Sequence, residues 1–162
     1  MRKPSVAGYS LIEVLVIAGM IALLASIAMP TYEQYVQRAQ AGRAARDITE
    51  IAQLIARFET DNARLPVDLA EIGMASDKDP WGRLYVYLNL PTTETNFRSG
   101  GGSGTPPDVR TDRFNRPVNT DFDLFSQGKD GGSEASLTGS LSLDDVVRAK
   151  DGSFVGFARD FQ

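Results

Sequence analysis

The feature that most constrains this chain is an apolar segment close to its N-terminus. No residue from Val14 to Met29 is charged, and the apolar stretch extends back to Tyr9 with Glu13 as its one charged side chain. As an α-helix, the 21 residues 9–29 span about 30 Å, which is the thickness of the hydrocarbon core of a bilayer. The sequence therefore predicts a transmembrane helix over residues 9–29.

The residues around this segment predict its orientation. Arg2 and Lys3 precede it, and the positive-inside rule keeps such an N-terminus in the cytoplasm, so that the rest of the chain faces outward. A secretory signal peptide cleaved near Ala28 is the alternative. It leaves Glu13 unexplained, because an ionised group inside an apolar helix costs about 2.5 to 3.5 kcal/mol and is usually functional or paired. The alternative interpretation of Glu13 is that a Glu is tolerated at this position because it lies near the lipid headgroups.

Apolar residues continue at helical spacing beyond the membrane segment. They recur at steps of three or four residues, with charged residues on the other faces, at Ala41, Ala44, Ile48, Ile51, Ile55 and Phe58. Pro30 removes a backbone donor and predicts a kink or local melting between the two halves. Residues 9 to about 60 are otherwise predicted to form one long helix whose second half packs against a domain.

The remainder of the chain predicts a small sheet. Aromatic and aliphatic residues alternate over 84–88 and 122–126, which predicts two strands, and 154–158 is a weaker third candidate because Gly156 lies within it. At most a short helical piece is predicted around Leu69. The fold class is therefore α+β, with a long N-terminal helix packed on a small antiparallel β-sheet. Trp81, Tyr85 and Tyr87 are predicted as core anchors of this sheet, with a ligand cage as the alternative.

The segment 91–119 separates the first two predicted strands. It is rich in Gly and Pro, with the runs 100–104 and 106–107 as its clearest examples. Such a composition buries little apolar surface and is typical of a flexible surface loop, with an ordered functional loop as the alternative.

Composition excludes several functional classes. The chain has no Cys and no His, so disulfides, thiol nucleophiles, Ser-His-Asp triads and Cys/His zinc sites are absent. Nothing concentrates the remaining reactive groups, and we predict that the protein is not an enzyme. The formal net charge of -4 and the scattered Lys and Arg residues also argue against a nucleic-acid partner.

The N-terminal string from Gly8 to Glu13, Gly-Tyr-Ser-Leu-Ile-Glu, resembles the class III signal of type IV pilins and type II secretion pseudopilins. The resemblance implies that residues 1–8 are a leader, that a prepilin peptidase cuts after Gly8, and that the new amino terminus of Tyr9 is methylated. It further implies that 9–29 is a transmembrane and assembly helix and that 30–162 is a periplasmic globular domain. In such filaments Glu13 would meet the terminal amine of Tyr9 of a neighbouring copy.

Two further strings resemble the major, G-type pseudopilin of type II secretion. They are 79–83, Asp-Pro-Trp-Gly-Arg, and 123–131, which follows the second predicted strand. The resemblance implies a homopolymer in the inner membrane that works with minor pseudopilins and an inner-membrane assembly platform. A type IV pilus subunit is one alternative, and a membrane-tethered periplasmic binding module is an alternative of a different class.

Acidic residues cluster with Gly and Ser after the second predicted strand. Carboxylates in such a flexible frame suit calcium, which takes six to eight oxygen ligands. A solvated loop in which Asp144 and Asp145 open a helix is the alternative. The resemblance to G-type subunits implies a calcium ion held by side chains and carbonyls of this region, with Glu134 as a substitute ligand: Gln127, Asp130, Ser142, Asp144 and Asp145.

Overall fold

The computed structural model of the chain describes residues 8–90, 109–114 and 116–161. One long helix, α1, covers Leu11–Asn62. Four strands follow it, with short 3₁₀ helices at Leu69–Ile72 and Ala158–Asp160: β1 at Val86–Asn89, β2 at Phe122–Ser126, β3 at Val146–Ala149 and β4 at Phe154–Phe157. Most of the predicted flexible segment 91–119 lies outside the described residues.

Helix α1 is continuous through Pro30, so the predicted local melting is wrong. A proline removes a single backbone donor, and the hydrogen bonds of the neighbouring turns remain. The chain divides into two compact units within this helix, the first ending at Arg38 and the second beginning at Ala39. The predicted membrane boundary between residues 29 and 30 stays a prediction.

In the second unit the apolar stripe of α1 is the centre of the core. Five of its six predicted residues are buried, and Phe58 is half-buried. The stripe packs against Tyr85, Phe122, Leu124 and Val146 from the sheet side. Burying each large aliphatic side chain contributes about 1.5 to 3 kcal/mol, so this contact is the main source of stability for the unit.

The sheet is antiparallel and its strands follow chain order, β1-β2-β3-β4. The prediction for β2 is confirmed to the residue, β4 is confirmed, and β1 begins two residues later than predicted. The predicted α+β fold class is confirmed. Trp81 and Tyr87 pack against the buried core and Tyr85 is part of it, which confirms all three as core anchors.

Strand β3 was not predicted, because Arg148 interrupts its apolar pattern. All four of its residues are nevertheless buried. The Arg148 guanidinium forms two hydrogen bonds, of 2.8 and 2.6 Å, with the carboxylate of Asp121 and lies over the ring of Phe122. A tertiary ion pair therefore permits a charged residue inside a buried strand. The alternative in which Asp144 and Asp145 open a helix is wrong, since a strand follows them.

The opposite face of the sheet carries a second, smaller core. Side chains alternate along each strand, so Phe125 and Val147 point away from the helix stripe. They pack with Ala149 of β3 and with three residues outside the strands: Val118 before β2, Leu137 after β2 and Ala158 after β4. Loops thus cover the face of the sheet that α1 does not.

Replacing Ile51 by Ala is expected to lower the free energy of unfolding by about 2 to 5 kcal/mol, because the side chain is fully buried between α1 and the sheet. Urea denaturation of the full-length protein in detergent, followed by fluorescence of the single Trp, measures the change. The control is Val67→Ala, at a side chain that is 72% exposed, and a loss below about 0.5 kcal/mol is expected. Similar losses in the two variants would contradict the packing described here.

Candidate assembly helix and acidic loop

The N-terminal half of α1 presents its apolar side chains outward. It forms the one helix among the described residues that is long and apolar enough to cross a membrane, judged by length and composition. Leu15, Leu24 and Ile27 are each more than 60% exposed. An apolar surface of this extent is a site for lipid or for other protein.

Gly8 and Tyr9 lie immediately before α1, outside regular secondary structure. Both are exposed, and the Tyr9 side chain is 79% exposed. The peptide bond that joins them is therefore accessible from solvent.

Glu13 lies in the first turn of α1 and is exposed. Its spacing from Ser10 matches a capping box, in which the two side chains bond each other's backbone amides. Among the described residues neither of these side-chain bonds forms. The amide of Val14 instead donates to the carbonyl oxygen of Ser10, at 3.2 Å. Within the described part of the chain the Glu13 carboxylate has no hydrogen bond or ion pair, so its role is not explained by contacts of its own chain.

Asp79 organises the turn that leads into the sheet. Its Oδ1 accepts hydrogen bonds from the amides of Trp81 and Arg83, at 3.0 and 2.8 Å, and its Oδ2 accepts one from the hydroxyl of Ser126. Gly82 takes a left-handed conformation in this turn, with φ of +88°. The carboxylate thereby joins the turn to the end of β2.

Arg83 connects this turn to the loop after β2. Its guanidinium donates to the carbonyl oxygens of Gly128 and Lys129, at 2.6 and 3.1 Å. Gly131 also requires the absence of a side chain, because a Cβ there would lie 2.5 Å from Arg83 Nε and φ is +74°. The hydrogen bonds of Arg83 thus join the segment 79–83 to the loop 127–131.

The outer carboxylates of the acidic loop bind backbone amides. Asp144 Oδ2 accepts hydrogen bonds from the amides of Lys129 and Asp130, at 2.7 and 3.1 Å. Asp130 Oδ1 accepts one from the amide of Gly132, at 2.7 Å. Asp144 therefore closes the loop against the chain that leads into β3.

The inner residues of the loop are buried and bind each other. The Ser142 hydroxyl accepts a bond from the amide of Glu134 and donates one to its carbonyl oxygen, both at 2.9 Å. Asp145 Oδ2 accepts hydrogen bonds from the guanidinium of Arg110 and the hydroxyl of Ser133. Burial raises the pKa of Asp145 to about 7, and this effect exceeds the opposing one of Arg110. Burial also lowers the pKa of Arg110.

The structure places the predicted calcium ligands in one region of the chain, in the loop after β2 and immediately before β3. Among the residues described, no three or more His, Cys, Asp or Glu side chains are grouped so that they could hold a metal ion. Asp145 already contacts a cation, and the Gln127 carbonyl accepts the amide of Gly131 at 3.2 Å. The calcium ion stays a prediction from the resemblance.

Arg110 and Ser133 are the residues of this site that the sequence did not reveal. Arg110 lies in the segment predicted as a flexible loop, where single charges are usually solvated. The adjacent acids Asp144 and Asp145 were visible in the sequence, but because β3 was not predicted, nothing indicated that Asp145 would be buried and would need a compensating cation. The sequence offers no indication of which cation that is.

Comparison with known proteins supports the resemblance to pilins and pseudopilins. The chain is 26% identical over 138 residues to type II secretion system core protein G of Aeromonas hydrophila, covering 81% of this chain and 88% of that protein. It is 32% identical over 76 residues to fimbrial protein EcpC of Eikenella corrodens, covering 47% of this chain. The chain spans about half, 50%, of the length of that fimbrial protein.

These similarities confirm the predicted resemblance to pilins and pseudopilins. No protein-family model matches the chain, and no solved structure matches it. The long apolar helix and the antiparallel sheet agree with the pilin-like arrangement that the resemblance implied. The similarity to core protein G covers so much of the chain that it includes residues of both the helix and the sheet.

Replacing Asp79 by Ala is expected to lower the free energy of unfolding by about 1 to 3 kcal/mol, because the amides of Trp81 and Arg83 lose their acceptor. Thermal denaturation of the full-length protein in detergent, monitored by circular dichroism, measures the loss. Asp77→Ala removes an exposed carboxylate two residues away and is the matched control. If the control is destabilised as much as Asp79→Ala, the turn does not depend on these bonds.

Proposed function

We propose that this chain is a structural subunit of a type II secretion pseudopilus. It is processed by a prepilin peptidase after Gly8, methylated at Tyr9 and polymerised through its N-terminal helix. In this proposal it has no catalytic role. Its partners are further copies of itself, minor pseudopilins and the assembly platform of the inner membrane, and residues from 30 onward lie in the periplasm.

The observation that carries this proposal is the similarity to core protein G along most of both chains. A match confined to the apolar helix would indicate only a shared membrane segment. Here the similar region also includes the sheet-bearing part, so the resemblance concerns the whole subunit. The name of the relative places that protein in a type II secretion system, and we extend this assignment to the present chain.

The exposed helix supports polymerisation. Its apolar side chains are covered by lipid while the subunit is in the membrane and by neighbouring helices after assembly. Glu13 then lies in apolar surroundings without a partner from its own chain. The amine of Tyr9 in a neighbouring copy supplies the missing positive charge. A buried pair of this kind adds little net stability, but it penalises incorrect registers because they leave a charge unpaired.

A type IV pilus subunit is the second candidate, and the similarity to a fimbrial protein favours it. Both candidates require the same processed N-terminus and the same helix contacts. They differ in the position of the filament, which is periplasmic in the first case and at the cell surface in the second. Immunogold labelling of intact cells against cells with a permeabilised outer membrane distinguishes them.

We expect the protein isolated from its native membrane fraction to begin at N-methylated Tyr9, because the bond after Gly8 is exposed and follows a basic leader. Intact mass and N-terminal sequencing measure this. Gly8→Val is expected to retain the leader, whereas Gly19→Ala, at an open helical position, is expected to be processed normally. A chain beginning at Met1 or after Ala28 would instead favour a tethered or secreted module.

Glu13→Gln is expected to leave membrane insertion and leader cleavage intact but to abolish filaments. Gln can replace Glu in a capping box, so this variant removes the charge while retaining any local role at the start of the helix. Membrane fractionation measures insertion, and electron microscopy of sheared or overexpressed material measures filaments. Glu33→Gln, an exposed position on the same helix, is the control. Normal filaments in Glu13→Gln would refute the pairing with Tyr9.

A further inference from the structure

The inner carboxylate of the acidic loop contacts a cation of its own chain. Arg110 precedes β2 and its side chain is 4% exposed, while the Asp145 side chain is fully buried. Nη2 of Arg110 donates hydrogen bonds to Asp145 Oδ2 and to the hydroxyl of Ser133, and Nη1 donates to the carbonyl oxygen of Glu134. One positive group thus binds a carboxylate, a hydroxyl and a carbonyl oxygen.

These oxygens are of the types that calcium takes as ligands. A guanidinium can bind the same set, because its planar fork presents five N–H donors. The Arg110 guanidinium also lies over the ring of Phe125, 3.8 Å from its centroid, and the negative face of an aromatic ring favours a cation there. Both the surrounding oxygens and the ring of Phe125 therefore stabilise the positive charge of Arg110.

Two buried polar atoms without hydrogen-bond partners in the described part of the chain also support the pairing of Arg110 with Asp145. Nε of Arg110 and Oδ1 of Asp145 are both buried, and neither has a hydrogen-bond partner among the described residues. One is a donor and the other an acceptor, and they belong to two side chains already in contact. A bidentate pair of an Arg and a carboxylate joins a second donor and a second acceptor of this kind.

A second arginine, Arg83, donates hydrogen bonds to the outer part of the acidic loop. Arg83 binds the carbonyl oxygens of Gly128 and Lys129, which face the segment carrying Asp130. The carboxylate of Asp144 is held by backbone amides. Donors of the protein thus bind two carbonyl oxygens and one carboxylate oxygen of the outer loop.

We propose that Arg110 is the resident cation of the acidic loop and that residues 133–145 fold without calcium. The guanidinium binds Asp145, which is one of the residues that the resemblance to G-type subunits implied as metal ligands. Its charge compensates Asp145, and its remaining donors hold Ser133 and Glu134. The inference does not depend on the filament assignment, since it concerns the stability of this loop in either kind of subunit.

The test compares the Tm of the full-length protein in detergent with excess calcium and with excess EGTA. The wild type is expected to have the same Tm in both solutions. Arg110→Gln is expected to lower the Tm by roughly 10 °C in EGTA, because it leaves a buried carboxylate without its partner. Arg113→Gln, at an exposed arginine three residues away, is the control and is expected to change the Tm by less than about 2 °C.

A double variant tests the pairing itself. Arg110→Gln combined with Asp145→Asn removes both charges, so its Tm is expected to be at least as high as that of Arg110→Gln alone. An additional loss in the double variant would show that the two side chains act independently, which contradicts the proposal. Arg110→Lys retains the charge without the fork and is expected to have an intermediate Tm, and it replaces Arg110→Gln if that variant does not fold.

A rise in the Tm of the wild type on adding calcium overturns the proposal. If Asp144→Asn and Asp130→Asn abolish that rise, the metal site implied by the resemblance is established instead. Equal Tm values for Arg110→Gln and Arg113→Gln also overturn it. The wild-type comparison requires no variant, so the proposal remains testable whatever the variants do.

Discussion

The apolar stripe of α1 between Ala41 and Ile55 is the interaction on which the second unit depends. Its side chains are buried against Tyr85, Phe122, Leu124 and Val146, so that the helix covers one face of the sheet. The sheet is small, with four strands of four or five residues. A sheet of this size needs a covering layer for independent stability. The helix thus supplies both the connection to the N-terminal segment and half of the domain core.

The same helix has a different surface in its two halves, and this difference links structure to function. Before Arg38 the apolar residues are exposed around the helix, whereas after Ala39 they are confined to the stripe. The exposed apolar surface of the first half is therefore a site for lipid or for other protein. The apolar stripe of the second half packs against the sheet of the same chain. This division fits the proposed function, in which the surface of the first half passes from lipid contacts to contacts with neighbouring subunits.

Two buried arginine residues form ion pairs with acids of the domain. Arg148 pairs with Asp121 and lies over Phe122, and Arg110 pairs with Asp145 and lies over Phe125. In each case the ion pair joins a strand or its start to a loop, so it fixes the position of that loop. The chain has no Cys with which to make such connections covalently. Removing one partner of a buried pair leaves an uncompensated charge, so the loop arrangement depends on both members of the Arg110–Asp145 pair.

The sequence by itself determined the long helix, its buried stripe, strands β2 and β4 and the N-terminal motif, because each follows from local periodicity or a contiguous string. It did not reveal β3, whose Arg148 breaks the apolar pattern and is compensated only by Asp121, 27 residues away in the chain. Nor did it reveal Arg110, which contacts Asp145 across 35 residues. Only the tertiary structure decided these points, since the charge that makes a buried residue acceptable comes from a distant part of the chain and leaves no periodic trace in the sequence.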